Sequence, residues 1–313
     1  MNPLARIIRT PLGAVAIALF ATTATAASEG WTEDFPAAQA EAKEAGKDLL
    51  LEFTGSDWCP PCKALNGEVF STSAFMDSAP SDFVLVKLDF PSNIPQSETL
   101  VNQNNALASK YNIEGYPTIV LADAAGKPYA KTGYRPGGAE SYLAHLDELK
   151  AIRATRDAAL AEAKDAEGLD KARALDVAMQ AVGLDLAIAH YPSHVEYIIA
   201  IDADNKAGLK GKYEEAMNAG ALDAAMSEAI EILQAGDFEA GLKKLETITE
   251  ELDPQGESLQ MITVIRGQVH MQMGEMDQAV SLMKQAIAID PESEISGQIE
   301  AMVEQLENMP AAP

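Results

Sequence analysis

Cysteine is almost absent from this chain, with two in 313 residues. So few cannot build a wider disulfide framework, and cysteine alone cannot fill a four-ligand zinc site. Positive charge is also scarce: 23 Lys and Arg stand against 48 Asp and Glu, a formal net charge of −25. That balance argues against nucleic acid and against anionic membrane surfaces as partners. No Gly-rich phosphate loop leads into a helix, and no Ser/His/Asp set points to hydrolysis. Histidines number only four. His190 and His194 stand four apart, but Pro192 between them disrupts the regular helix that such a metal pair requires. His270, Met271, Met273 and Met276 form a soft-ligand cluster of the kind Cu(I) prefers, though methionines at helical spacing are commonly core filler. Neither a metal site nor a cofactor is expected.

Beyond the N-terminus no run is long and apolar enough to span a bilayer. The first 27 residues read as an export signal. Arg6 and Arg9 supply a positive start, Leu12 to Ala21 an apolar stretch of signal-peptide length, and Ala24-Thr25-Ala26 a small-x-small cleavage pattern. The alternative is an uncleaved anchor. No cysteine follows to carry a lipid. The expectation is an exported, periplasmic protein that does not span the membrane after signal cleavage. In that oxidising compartment a cysteine pair is either a maintained disulfide or a working centre kept reduced by another protein.

From residue 28 the pattern alternates strands and helices. Phe35 to Gly46 reads as a helix, Asp48 to Thr54 as a buried strand, and Gly55 to Trp58 as a turn. Cys59 stands where the chain enters a helix reaching about Phe70. Further strands are predicted at Phe83–Asp89, Thr118–Leu121 and, at an edge, Tyr129–Thr132. A helix is predicted at Glu98–Tyr111, and a last one opens near Ala139 and runs to 149. This is an α/β domain with a mixed sheet. After about Ala151 only helical spacing is visible. Residues 153–221 read as a helical linker or bundle. Gly236-Asp237-Phe238-Glu239-Ala240 and Gly274-Glu275-Met276-Asp277-Gln278-Ala279 form a repeat, each ahead of a proline, Pro254 and Pro291. Residues 222–313 therefore read as a tetratricopeptide-like helical region with a capping helix at 298–309, the alternative being a plain helical bundle. Charge divides unevenly, with 18 acidic and 11 basic residues in 1–150 against 30 and 12 in 151–313. That acidic second half is a candidate surface for a protein partner.

The two cysteines stand in Trp58-Cys59-Pro60-Pro61-Cys62-Lys63. A thiolate attacks a disulfide, and the N-terminus of a helix favours a thiolate. Cys59 at the helix start is therefore assigned as the attacking cysteine, and Cys62, one turn on, as the resolving one. Pro61 is tolerated because the first helical turn leaves its amides unpaired in any case.

With these residues in place, the segment resembles thioredoxin over about residues 30–152. The strand Leu49–Phe53, Trp58, the cysteine pair, Lys63, Val86-Lys87-Leu88-Asp89 and Gly115-Tyr116-Pro117-Thr118-Ile119 occur in the family's order. The resemblance implies a thioredoxin fold over 28–152, a central mixed sheet flanked by helices, and a thiol–disulfide oxidoreductase. It implies that Glu52 takes the place of the family's buried acid, one residue further back because Gly55-Ser56-Asp57 is a longer turn. It implies that Lys87 neighbours that acid and that Pro117 is cis. Trp58, Tyr116 and Pro117 would line a substrate groove. For Glu52 and Lys87 the alternative is solvent-facing charge on a strand; for Trp58 and Tyr116 it is ordinary packing. Implied partners are protein disulfides or thiols and an upstream thiol electron donor. The Pro-Pro pair and the long Pro91–Gln103 stretch depart from thioredoxin itself, and Gly55-Ser56-Asp57-Trp58 and Asp89-Phe90-Pro91 resemble exported bacterial members more than the cytosolic protein. Lacking a histidine between the cysteines, the chain leans toward reductase or isomerase over oxidant.

Overall fold

A computed structural model describes residues 30–307. The predicted export signal and the end of the predicted 298–309 helix lie outside them. In chain order the first elements are β1 (Trp31–Thr32), α1 (Phe35–Ala45), β2 (Asp48–Thr54), α2 (Pro60–Leu65), α3 (Ser73–Ser78), β3 (Phe83–Asp89), α4 (Glu98–Lys110), β4 (Thr118–Ala122) and β5 (Pro128–Thr132). A π-helical turn at Asn66–Phe70 prolongs α2, and a 3-10 turn at Ala79–Ser81 follows α3. The sheet order is β1-β3-β2-β4-β5. β1 and β2 both pair parallel with β3, whereas β4 runs antiparallel to β2, so the sheet is mixed.

The central strand β2 is buried at every position, as expected of a strand covered on both faces. Leu49, Leu51 and Phe53 join Val84, Val86, Leu88, Val120 and Ala122 on one face, against Phe35, Ala38 and Ala42 of α1 and Leu107 of α4. Alternation turns Leu50, Glu52 and Thr54 to the other face, together with their partners Leu85, Lys87 and Asp89. Trp31 pairs with Leu85 and so shares that second face. Its ring lies 5.1 Å from Phe70, which in turn lies 5.5 Å from Tyr142. Asp34 caps α1 by accepting from Ala37 N at 3.0 Å, and Gly46, at φ 68°, ends it in a left-handed turn open to glycine.

The predicted strands and helices of this part are present. β1 and α3 are additions; a two-residue strand and a six-residue helix are too short to show a period. The helix read as opening near Ala139 and closing at 149 is α5 (Gly138–Asp165), unbroken for 28 residues. No Gly or Pro interrupts its Ala-, Glu- and Lys-rich sequence before Gly168. Eight more helices follow among the described residues: α6 (Gly168–Val182), α7 (Leu184–His190), α8 (Pro192–Ile201), α9 (Leu209–Gln234), α10 (Phe238–Leu252), α11 (Gly256–Gln272), α12 (Met276–Ile289) and α13 (Ser296–Glu307). Pro192 opens α8, which separates His190 from His194.

The chain forms two compact units. One takes the residues up to Gly126 with Thr132–Leu143, the other Lys127–Lys131 with the residues from Ala144 on. Within the second, the Tyr191 hydroxyl donates to Pro128 O at 2.7 Å and accepts from Arg156 Nη1 at 2.8 Å, while Lys127 Nζ donates to His190 O at 2.7 Å. Ala229, Leu245, Ile248 and Ile262 form one apolar cluster of its later helices, and Met283, Ala286, Ile299 and Val303 another. Gly267 of α11 faces α12 so closely that a Cβ would lie 3.0 Å from Met283 Cε and 3.4 Å from Ala279 O. Among the described residues no helix is long and apolar enough to cross a membrane. None of their His, Cys, Asp and Glu side chains gather as three or more around a metal position.

Candidate redox site

The turn after β2 is held to the end of β3 and the loop beyond it. Trp58 N and Cys59 N both donate to Gly55 O, at 3.3 and 2.9 Å. Ser56 donates from its amide to Asp89 Oδ1 at 2.9 Å and from its hydroxyl to Asp89 Oδ2 at 2.5 Å. Asp57 accepts from Ser92 N at 2.9 Å and Asn93 N at 2.6 Å. Led by the Ser92 amide, these donors hold the Asp57 carboxyl below the usual range. The Trp58 indole nitrogen donates to Phe90 O at 2.8 Å, and Lys63 Nζ donates to Asp57 O at 2.8 Å. Gly55 is required by the same arrangement: a Cβ there would fall 2.5 Å from Trp58 Cε2.

Cys59 is the N-cap of α2. Its backbone is extended, and its sulfur accepts from Cys62 N at 3.3 Å. Pro60 and Pro61 occupy the first helical positions, where a missing N–H breaks no intrahelical bond. The two cysteines form a disulfide, and both are almost fully buried, at 3% and 1% exposure. Cys59 Sγ lies 3.6 Å from Tyr116 O, and the Tyr116–Pro117 peptide bond is cis. Trp58 is 46% exposed and meets the Tyr116 ring edge-on at 5.8 Å. The Tyr116 ring is also 5.2 Å from Phe90. Gly133 stands close behind, where a Cβ would be 3.1 Å from Pro117 O. The structure thus gathers Trp58, Cys59, Cys62, Tyr116 and Pro117 at one place.

Glu52 and Lys87 are paired across β2 and β3. Glu52 is only 3% exposed, and burial pushes its carboxyl up to about 7, against the opposing pull of Lys87 and a hydrogen bond from Thr54; Asp89 adds to the rise. Lys87 is half-buried. Tyr142 of α5 also lies within the field of Glu52, and its phenol is pushed up, first by burial and then by that carboxylate. Sequence reasoning did not assign Asp89, Ser56, Asp57 or Phe90 to the site. Their signal was present as two unusual segments, Gly55-Ser56-Asp57-Trp58 and Asp89-Phe90-Pro91, which the fold brings together.

Residues 35–150 match the family described as "Thioredoxin-like domain". The "Disulfide bond reductase DsbH" of Chlamydia pneumoniae is 33% identical over 128 residues, which make up 41% of this chain and 76% of that protein. The "Thioredoxin-related protein DsbJ" of the same organism is 36% identical over 91 residues, 29% of this chain and 26% of that protein. A solved structure titled "DsbH Oxidoreductase" is 32% identical, with a TM-score of 0.36 over 37% of this chain and 81% of that one.

Proposed function

The chain belongs to the thioredoxin-like family and is a thiol–disulfide oxidoreductase, and on that premise we propose that it is an exported reductase or isomerase of protein disulfides. The observation that carries the reading is the Cys59–Cys62 disulfide at the head of α2, with Tyr116 O 3.6 Å from Cys59 Sγ. In the reduced enzyme the Cys59 thiolate attacks a substrate disulfide. One substrate sulfur becomes bonded to Cys59, and the other leaves as a thiolate that takes a proton from water. Cys62 then gives its proton to the Glu52 carboxylate and attacks Cys59 Sγ. The second substrate sulfur leaves Cys59 as a thiolate and takes the proton that Glu52 gives up, so the substrate departs with both sulfurs reduced and the enzyme holds the disulfide. Two electrons and two protons from an upstream thiol donor restore the dithiol. In isomerisation a second substrate thiol resolves the mixed disulfide, with no net change in oxidation state.

The raised affinity of Glu52 for a proton supports its role, since an acid poised near neutrality can both accept and release one. Lys87, opposite it, limits that rise. Trp58 and Tyr116 offer an aromatic wall beside Cys59, and the backbone next to Pro117 would pair with an extended substrate segment. The leader-like N-terminus supports export to the periplasm. We read 28–152 as the redox domain, 153–221 as a helical linker and 222–313 as tetratricopeptide-like; the close approach of Gly267 to α12 supports the last.

The test is reduction of insulin disulfides with a thiol donor. Cys59→Ser should abolish turnover, and Cys62→Ser should accumulate mixed disulfides. Full activity in Cys59→Ser would overturn the mechanism. A reduction potential of about −120 mV, that of a strong oxidant, would overturn the direction. A scaffold role for the acidic helical region is the second reading, favoured by its excess of 30 acidic over 12 basic residues in 151–313. Partners that co-purify undiminished with the full chain carrying Ser at both positions 59 and 62 would support it, because no covalent trap remains.

A further inference from the structure

Asp89 closes β3 opposite Thr54, the last residue of β2, and is 9% exposed. A carboxylate so nearly buried needs donors. It finds them three residues before Cys59, in the amide and hydroxyl of Ser56 at 2.9 and 2.5 Å. Its own main-chain oxygen accepts from Asn104 Nδ2 at 2.9 Å and Gln96 Nε2 at 3.2 Å, so the end of β3 is held from α4 and from the preceding loop. Strand pairing places Thr54 and Asp89 on the sheet face that carries Glu52 and Lys87, two residues earlier on each strand. One carboxylate therefore bonds the turn that leads to Cys59 and shares a face with the buried acid.

We propose that Asp89 is a positioning residue for disulfide exchange: it fixes the turn that presents Cys59, and its charge opposes a second negative charge on Glu52. The charge half rests on the proton-carrying role given to Glu52 above. The groups that face Glu52 are Lys87 and Asp89 from β3, Thr54 from its own strand and Tyr142 from α5. Lys87 and the Thr54 hydrogen bond favour the carboxylate, whereas burial and Asp89 favour the acid. Asp89 thus makes Glu52 the more basic acceptor when Cys62 must lose its proton. Asp89 acts through Ser56 and through Glu52, and so would alter the pH dependence of exchange as well as its rate.

The test uses the full chain. Asp89→Asn keeps an oxygen to accept from Ser56 N and removes the charge; Asp89→Ala removes both. The Glu52 side-chain carboxyl is titrated by 13C NMR in the disulfide form, its resonance identified by its loss in Glu52→Gln. Insulin reduction is measured at pH 9, where Glu52 is ionised in the parent. Asp89→Asn should lower the Glu52 midpoint by roughly half a pH unit or more and keep the pH 9 rate within about two-fold of the parent. Asp89→Ala should lower the midpoint similarly and cut the pH 9 rate about ten-fold through misplacement of Cys59. An unmoved midpoint in Asp89→Asn overturns the charge half. A parent-like rate in Asp89→Ala overturns the turn half. If Glu52 in the parent titrates in the ordinary carboxylate range, its proposed role fails and takes the charge half with it; the Asp89→Ala rate then still decides the turn.

Discussion

Glu52 stands directly opposite Lys87 in the parallel register of β2 and β3, yet its carboxyl is pushed up to about 7. An adjacent cation ordinarily lowers a carboxyl, so burial outweighs the lysine here. The acid is therefore mostly neutral in mildly acidic solution and ionises around neutrality.

The first expectation is a pH-dependent cost of that burial. Between the ordinary carboxylate range and about 7 the native chain keeps a proton on Glu52 that the unfolded chain releases. Stability from this group is complete below the unfolded value and falls as pH rises through the folded one, by about 3 kcal/mol in all. Glu52→Gln cannot titrate, so it should gain on the parent between pH 5 and pH 9. Urea denaturation at both values reads the difference. A parent-minus-variant gap that does not change with pH would show that the burial carries no such cost.

The second concerns the turn before the cysteines. Gly55→Ala must push a Cβ into the Trp58 ring, at 2.5 Å from Cε2. The ring can yield only by leaving Phe90 O or the Tyr116 edge. We expect about 1–3 kcal/mol of lost stability and a clear fall in insulin reduction. Trp58→Ala, at a side chain already nearly half exposed, should leave the melting temperature closer to the parent. It should raise KM for a protein disulfide several-fold more than for a small aromatic disulfide, because only the larger substrate reaches across the groove. Equal effects on both substrates would remove Trp58 from the groove.

In the second unit, the hydroxyl of Tyr191, the N-cap of α8, hydrogen-bonds to β5 and to Arg156 of α5. Tyr191→Phe keeps the ring and deletes both. Loss of about 1–3 kcal/mol is expected in chemical denaturation, since Pro128 O and the Arg156 guanidinium are buried there. An unchanged midpoint would mean that water replaces the hydroxyl.

Gly267→Val should separate α11 from α12, because even a Cβ would meet Met283 Cε at 3.0 Å. Overpacking there should cost about 1–3 kcal/mol and open the last helices to protease while leaving insulin reduction intact. A parallel loss of reduction would show that the redox unit depends on those helices.

The order of elements around the cysteines was legible because each main strand is a continuous apolar run and each helix has a stop, such as Gly46 after α1. β1 was not, since Trp31–Thr32 is a strand only through its pairing with Leu85 and Val86. The run of α5 beyond residue 149 was not legible, because nothing in its composition marks an end before Gly168. In the candidate site, the cysteine pair announced itself by spacing, and Glu52 only through the resemblance of its strand to thioredoxin's. Asp89 and Phe90 did not, because what they do is done to Ser56 and Trp58, more than thirty residues away in sequence.

Local chemistry alone thus determined that a dithiol heads a helix after a buried strand, and the resemblance to thioredoxin added a Tyr-Pro-Thr segment and an acid in that family's order. Period, capping and turn preferences act over a few residues and are written in them. Only the tertiary structure decided that Glu52 lies in a place dry enough to hold its proton to about 7, and that the turn before Cys59 is tied to the end of β3. Both follow from the parallel register of β2 and β3, and desolvation and hydrogen bonding depend on what that register brings near, which no stretch of sequence specifies by itself.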